Sequence, residues 1–200
     1  MEIDPAARSS KSVYQLLISL VVPRPIGWAS TVDASGNRNL APFSFFNVAS
    51  GSPPVVMLSI SPRGGRPKDT LANILATRQF VLNLVTEELA EQMNCTSGNY
   101  PPEVDEFEVA RLTPVASTRV APPRVGESPV NLECELVQTL QLPRSEYTIA
   151  FGEVVYFHIA DHVLDDQGNA DPQKLKPVGR LGGKGWYTPL GSLFEMQRPP

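Results

Sequence analysis

The sequence predicts a mainly β protein: a barrel of five to seven strands carrying two or three short helices. Three observations point there. Proline makes up 20 of 200 residues, about twice its usual share, which breaks long helices and stiffens loops. The apolar runs are short and rich in β-branched and aromatic residues, as strands require. Helical patterns do not alternate regularly with these runs, so a doubly wound parallel sheet is disfavoured.

The length suits one domain spanning 1–200. Hydrophobic residues at 42% and charged ones at 19% describe a folded chain, not a disordered one. A net charge of −4 supplies no general basic field for nucleic acid. The early apolar run is too short to span a bilayer, and no small-residue cleavage signal follows it, so a cytoplasmic protein is expected. Cys95 and Cys134 stand far apart and form no CxxC pattern, which reads as two buried free thiols.

In chain order, residues 1–10 read as a mobile arm, and Ser10 or Ser12 as the cap of a helix over Val13–Leu20. Pro23 and Pro25 force an extended backbone. Ile26–Val32 and Leu40–Phe46 then form a hairpin about the turn Asp33-Ala34-Ser35-Gly36-Asn37. Ser30 and Thr31 on one arm, and Ser44 with Asn47 at the exit of the other, offer hydroxyls and an amide beside the pair Phe45 and Phe46. Such a ribbon can hold a flat heteroaromatic ring, although by itself it is more commonly plain barrel core. VASGSPP reads as a loop, and Val55–Ser61 as a strand buried on both faces.

The stretch Pro62–Pro67 is a stiff basic loop before a helix capped by Asp69 or Thr70, with Leu71, Ile74 and Leu75 as its apolar stripe. Arg63, Arg66 and Lys68 precede free helical N–H groups, and Thr70 adds a hydroxyl, so a phosphate monoester would find several donors. A solvated basic loop with a routine cap explains the segment equally well. Phe80–Val85 is the next strand, and Thr86 caps a short helix through Met93. Residues 94–129 read as an exposed lid or insertion around one weak strand near Leu112–Ala116. Val130–Leu142 and Tyr147–Ala160 form a long hairpin, with Gly152 as a bulge or bend. The final VGRLGGKGWYTPLG reads as a tail packing Trp186 and Tyr187 on the barrel, with a segment closing over a bound ring as the alternative; it opens no helix, so it is no dinucleotide fingerprint.

His158 and His162 have helical metal spacing but lie in an extended region, which would separate them by ~13 Å, too far to share a zinc ion. No nucleophile motif and no carboxylate pair stands out, so neither a metal site nor a catalytic side chain is assigned. A ring pocket with a phosphate cradle and no acid–base apparatus suits a cofactor that carries its own reactivity.

The segments PRPIGWASTVDASGNRNLAPFSFFN (Pro23–Asn47), VVMLSISP (Val55–Pro62), KDTLANI (Lys68–Ile74) and FVLNLVTEELAEQMN (Phe80–Asn94), with FGEVVYFHI (Phe151–Ile159) and VGRLGGKGWY (Val178–Tyr187), resemble the flavin reductase-like family. That family has an FMN-binding split β-barrel, Greek-key-like, and includes flavoredoxins and the reductase components of two-component monooxygenases. The resemblance implies a homodimer with FMN near the subunit interface. Ser30, Thr31 and Ser44, Phe45, Phe46 and Asn47 would meet the isoalloxazine and ribityl chain. Ser59, Ser61, Arg63, Lys68, Asp69 and Thr70 would lie near the ribityl and phosphate. The expected activity is flavin reduction by NADH or NADPH, with electrons passed to a redox protein or monooxygenase partner. A bound-flavin electron carrier that does not use pyridine nucleotide, and a ligand-binding barrel without redox chemistry, are the alternatives.

Overall fold

A computed structural model describes residues 1–199. Its centre is one antiparallel sheet of seven strands in the order β2-β1-β5-β8-β9-β4-β3. The strands are β1 (Gly27–Val32), β2 (Arg38–Phe43), β3 (Phe46–Gly51), β4 (Pro54–Ile60), β5 (Gln79–Asn83), β8 (Val130–Gln141) and β9 (Thr148–Ile159). Only Ser44 and Phe45 separate β2 from β3 in the chain, yet these strands lie at opposite edges of the sheet. A flat sheet cannot satisfy both conditions; a sheet rolled into a barrel can, with its two edges meeting at that turn and not fully laddered. The fold is therefore a mainly β split barrel, as expected.

The β1–β2 hairpin forms about the expected turn, with Gly27 opposite Phe43 and Val32 opposite Arg38. Asp33 builds its turn: one carboxylate oxygen accepts from Ser35 and Asn37 N–H, both at 2.8 Å. Gly36 takes φ 88°, open to glycine at little cost. The second arm ends at Phe43, earlier than expected. VASGSPP is not a loop, because Phe46–Gly51 is an edge strand paired with β4.

Helix α1 (Ser10–Leu20) is capped by Ser9, whose hydroxyl accepts from Ser12 N–H, not by Ser10 or Ser12. Of its residues only Ile18 is buried. Its C-terminal end is closed by Arg24, whose guanidinium donates to the carbonyls of Ile18 at 2.6 Å and Val21 at 2.7 Å. The same group reaches Leu181 O at 3.1 Å, joining α1 to the small hairpin of β10 (Val178–Arg180) and β11 (Tyr187–Pro189). Burial, then the nearby Arg180, pulls the Arg24 guanidinium below its ordinary value. Trp186 does not pack on the barrel; it is 70% exposed, whereas Tyr187 is half-buried under Arg180.

Two apolar cores lie on the two faces of β1, whereas β4, expected to be buried on both faces, sends Val56, Leu58 and Ile60 into one core and leaves Met57 and Ser59 only partly covered. Ala29, Leu58, Ile60, Phe80 and Leu82 belong to one. Trp28, Leu40, Val85, Met93 and Phe107 belong to the other. The second core corrects the reading of 94–129 as an exposed lid. Helices α3 (Ala90–Cys95) and α4 (Glu106–Val109), with the short pair β6 (Pro114–Val115) and β7 (Arg124–Val125), form a packed wall over the outer face of β1 and β2. Polar side chains fasten it. Trp28 Nε1 donates to Thr96 Oγ1 at 2.8 Å, and Asn83 Oδ1 accepts from Val125 N–H at 2.8 Å.

Thr86 makes no side-chain cap; a 3-10 turn over Glu87–Leu89 leads into α3. Gly152 is not the extra residue of a bulge. Register shifts fall between Glu133 and Cys134 and between Leu136 and Gln138, while Gly152 pairs with Leu136. Its requirement is space, since a Cβ there would enter the ring of Phe80. No helix among the described residues is long and apolar enough to cross a membrane.

Candidate functional site

The most chemically directed cleft lies at the start of helix α2 (Asp69–Thr77). The capping position is Lys68, not Asp69 or Thr70, and no side chain caps the end. The first helical bond runs from Ala72 N–H to Lys68 O, so the N–H groups before it are free of intrahelical partners. Asp69 sits in the first turn instead, and Leu75 leaves the apolar stripe, facing solvent.

Lys68, Arg63, Asp69 and Thr70 line one cleft with Asn39 and Phe43 from β2, Tyr100 and Glu106. The Lys68 ammonium lies 5.5 Å from the centre of the Phe43 ring and makes no ion pair among the described residues. Burial, then the charge of Arg63, lowers its pKa. Both effects disfavour the ammonium, so an added anion would restore what it lacks. Arg63 is already shared: it bridges to Asp69 Oδ2 at 3.4 Å and donates to Asn99 Oδ1 at 3.1 Å. Thr70 Oγ1 accepts from Asn39 Nδ2 at 3.0 Å, which leaves its own proton for another acceptor.

A second, more apolar cleft opens between α1 and the barrel. Phe45 and Ser59 line it with Tyr14, Leu17 and Tyr147. The Phe45 and Tyr147 rings stack with centroids 5.8 Å apart and planes inclined by 21°. Ser59 N–H donates to Phe45 O at 2.8 Å, fixing the β2–β3 turn against β4. Ser61, just past β4, is half-buried, and burial, ahead of Tyr14, raises the pKa of the Tyr147 phenol. Phe43 lines the first cleft and Phe45 the second, so the clefts flank one turn.

Not every expected residue reaches these surfaces. Ser30 and Thr31 are wholly buried. The Ser30 hydroxyl donates to Pro123 O at 2.5 Å, and Thr31 Oγ1 accepts from Asn39 and Asn73. Both side chains bond within the barrel and line neither cleft, against the expectation that they face a ligand. Phe46 packs on the core beneath Gly27, and Asn47 is exposed on the edge strand with its oxygen accepting from Val48 N–H. Ser44 lies against Arg24 at 3.4 Å. Sequence reasoning missed Asn39, Glu106 and Tyr147. Asn39 lay within the chosen hairpin, where its alternation with Leu40 was the available signal. Glu106 lies in the stretch read as an exposed lid or insertion, which has no periodic pattern to mark it.

His158 belongs to neither cleft. Its Nε2 lies 2.5 Å from Oε1 of Glu133, a wholly buried carboxylate that also accepts from the N–H groups of Thr118, Arg119 and Val120. Burial pushes the Glu133 carboxyl up, but these hydrogen bonds together bring it below its ordinary value. Cys134 is buried as expected, and burial raises its thiol pKa far enough to make it inert, whereas Cys95 is only partly covered. No group of three or more metal-ligating side chains occurs among the described residues.

The split barrel thus places an uncapped, cationic helix terminus on one side of the β2–β3 turn and an aromatic shelf on the other. The chain belongs to the flavin reductase-like family: the profile of the flavin reductase like domain matches residues 19–175. An uncharacterized protein of Aquifex aeolicus is 44% identical over 96% of this chain and 97% of its own length. The crystal structure of nitrilotriacetate monooxygenase component B from Bacillus cereus superposes with a TM-score of 0.94 at 34% identity, covering 98% of both chains. The 2-nitrobenzoate 2-nitroreductase of Pseudomonas fluorescens gives 0.89 at 28% identity, covering 100% of this chain and 96% of its own.

Proposed function

We propose that this chain binds FMN and acts as an NAD(P)H-dependent flavin reductase. The observation that carries the reading is the α2 terminus, where free N–H groups, an unpaired Lys68 ammonium and the Thr70 hydroxyl converge without a cap. Those donors fit a phosphate monoester. Arg63 adds charge from the rim, and Asp69, tied to Arg63, orients it. On the other side of the turn, Phe45, Ser59 and Tyr147 offer an apolar, lightly polar surface to the ring.

When bound, the flavin supplies the hydride and electron chemistry. The protein's own part is to hold the phosphate, orient the ring, and keep water from it with Phe43, Phe45 and Tyr147. No side chain is assigned as catalytic acid or base.

Leu17 and Leu20 on α1, Val137 on β8 and Phe157 on β9 are each at least half exposed. Exposed apolar side chains of that kind would be covered in a homodimer. The Bacillus cereus relative is a monooxygenase component, which supports delivery of reduced flavin to a separate monooxygenase partner.

The test is an anaerobic absorbance spectrum of the purified protein with FMN, before and after NADH or NADPH, followed by steady-state NAD(P)H oxidation. Bleaching of the flavin band and turnover are expected. Failure to take up FMN would overturn the reading. Rapid reduction by a redox protein, with none by either nucleotide, would instead make it a bound-flavin electron carrier.

A further inference from the structure

The floor of the α2 cleft holds a group that an anion site should avoid. Glu106 lines the same cleft as Lys68, Thr70 and Arg63 and is 7% exposed. Its carboxyl accepts the N–H of Leu40 at 2.9 Å and has no cationic partner among the described residues. The charged neighbours do not neutralise it. From β2, Arg38 is taken by Asp105 and by Glu108. From α2, Lys68 makes no ion pair with it and Asp69 repels it, as Asp105 does from its own element. Tyr100 adds only a phenol from the neighbouring loop.

We infer that Glu106 is a proton gate on this cleft: as a neutral carboxyl it donates to, or tolerates, a phosphate monoester, and as a carboxylate it repels one. The inference rests on the reading of the α2 cleft as a phosphate site. Burial raises the carboxyl's pKa, only partly offset by the Leu40 hydrogen bond, with Asp105 and Asp69 adding to the rise. The neutral form therefore persists to higher pH than for an ordinary glutamic acid.

The consequence is a pH-dependent penalty on binding. FMN affinity improves as the phosphate loses its second proton near pH ~6, and ionisation of Glu106 sets against that gain a loss of about tenfold, because two like charges meet in a partly dry cleft. The experiment is fluorescence titration of flavin-free protein with FMN from acid to alkaline pH, for wild type and Glu106→Gln. Glutamine keeps the acceptor for Leu40 N–H and a donor toward the cleft, so E106Q is expected to match wild type in acid, where Glu106 is neutral, and to bind about tenfold more tightly where Glu106 is ionised. A ratio of the two affinities that does not change with pH overturns the gate. A wild-type measurement stands beside it should E106Q fold poorly. The Glu106 side-chain carbon is followed by NMR titration with and without FMN, and binding is expected to raise its pKa. An unchanged or lowered value overturns the gate, whereas absence of FMN binding at every pH overturns the phosphate reading itself.

Discussion

Replacing Lys68 by methionine removes the one cation in the α2 cleft that has no partner, and its effect can be worked out beforehand. Arg63 shares its charge with Asp69 and Asn99, whereas Lys68 makes no ion pair among the described residues and is partly desolvated. A hydrogen bond to a charged group contributes about 1.5–3 kcal/mol, which converts to about 10–150-fold in Kd. K68M should therefore weaken FMN by about that factor, while R63M, whose exposed pair already offsets its charge, costs no more than about fivefold. Riboflavin lacks the phosphate, so its affinity should not change in either variant. The fold should not suffer either: methionine keeps the stem over Phe43 and removes a desolvated charge, so Tm stays level or rises. Fluorescence quenching titrations with both ligands, with thermal melts alongside, decide the matter. Equal loss of FMN and riboflavin affinity, or a lowered Tm, would refute the assignment of Lys68 to a phosphate.

Two further predictions concern the scaffold. Gly152→Ala forces its new methyl group against the buried Phe80 ring, and overpacking of that kind costs about 1–3 kcal/mol, read as a lowered urea midpoint with flavin binding retained in the folded fraction. Glu133→Gln presents an amide N–H₂ to backbone donors that now share a carboxylate, at a cost of about 1–3 kcal/mol near neutral pH. Because the folded Glu133 carboxyl titrates below its ordinary 4.5, its stabilisation is complete above that pH. It disappears as pH falls through the lowered value, and the gap between wild type and E133Q should close there. A gap that stays constant into acid would sink this account of Glu133.

Much of this protein was legible without coordinates. The β1–β2 hairpin followed from one arm with β-branched residues and one with aromatic residues around Asp33 and Gly36, because turn chemistry and strand composition are local properties. The basic approach to α2 was equally visible, since a helix start and its charges lie within one short stretch. What the sequence could not show was which side chains each surface would spend on its neighbours. Ser30 and Thr31 looked like groups facing a ligand and became internal bonds because Pro123 and Asn73 arrive from distant segments and Asn39 lies directly across the hairpin. Lys68 took the capping position that Asp69 seemed made for, which leaves the helix terminus free for an anion. Residues 94–129 carry no periodic pattern, so their order was invisible. Tertiary packing lays Phe107, Leu112 and Val125 over Trp28 and sets Glu106 into the cleft. Local pattern determined the strands, the turns and the family likeness. Burial and hydrogen-bond competition between segments far apart in the chain decided which polar groups remain available for chemistry.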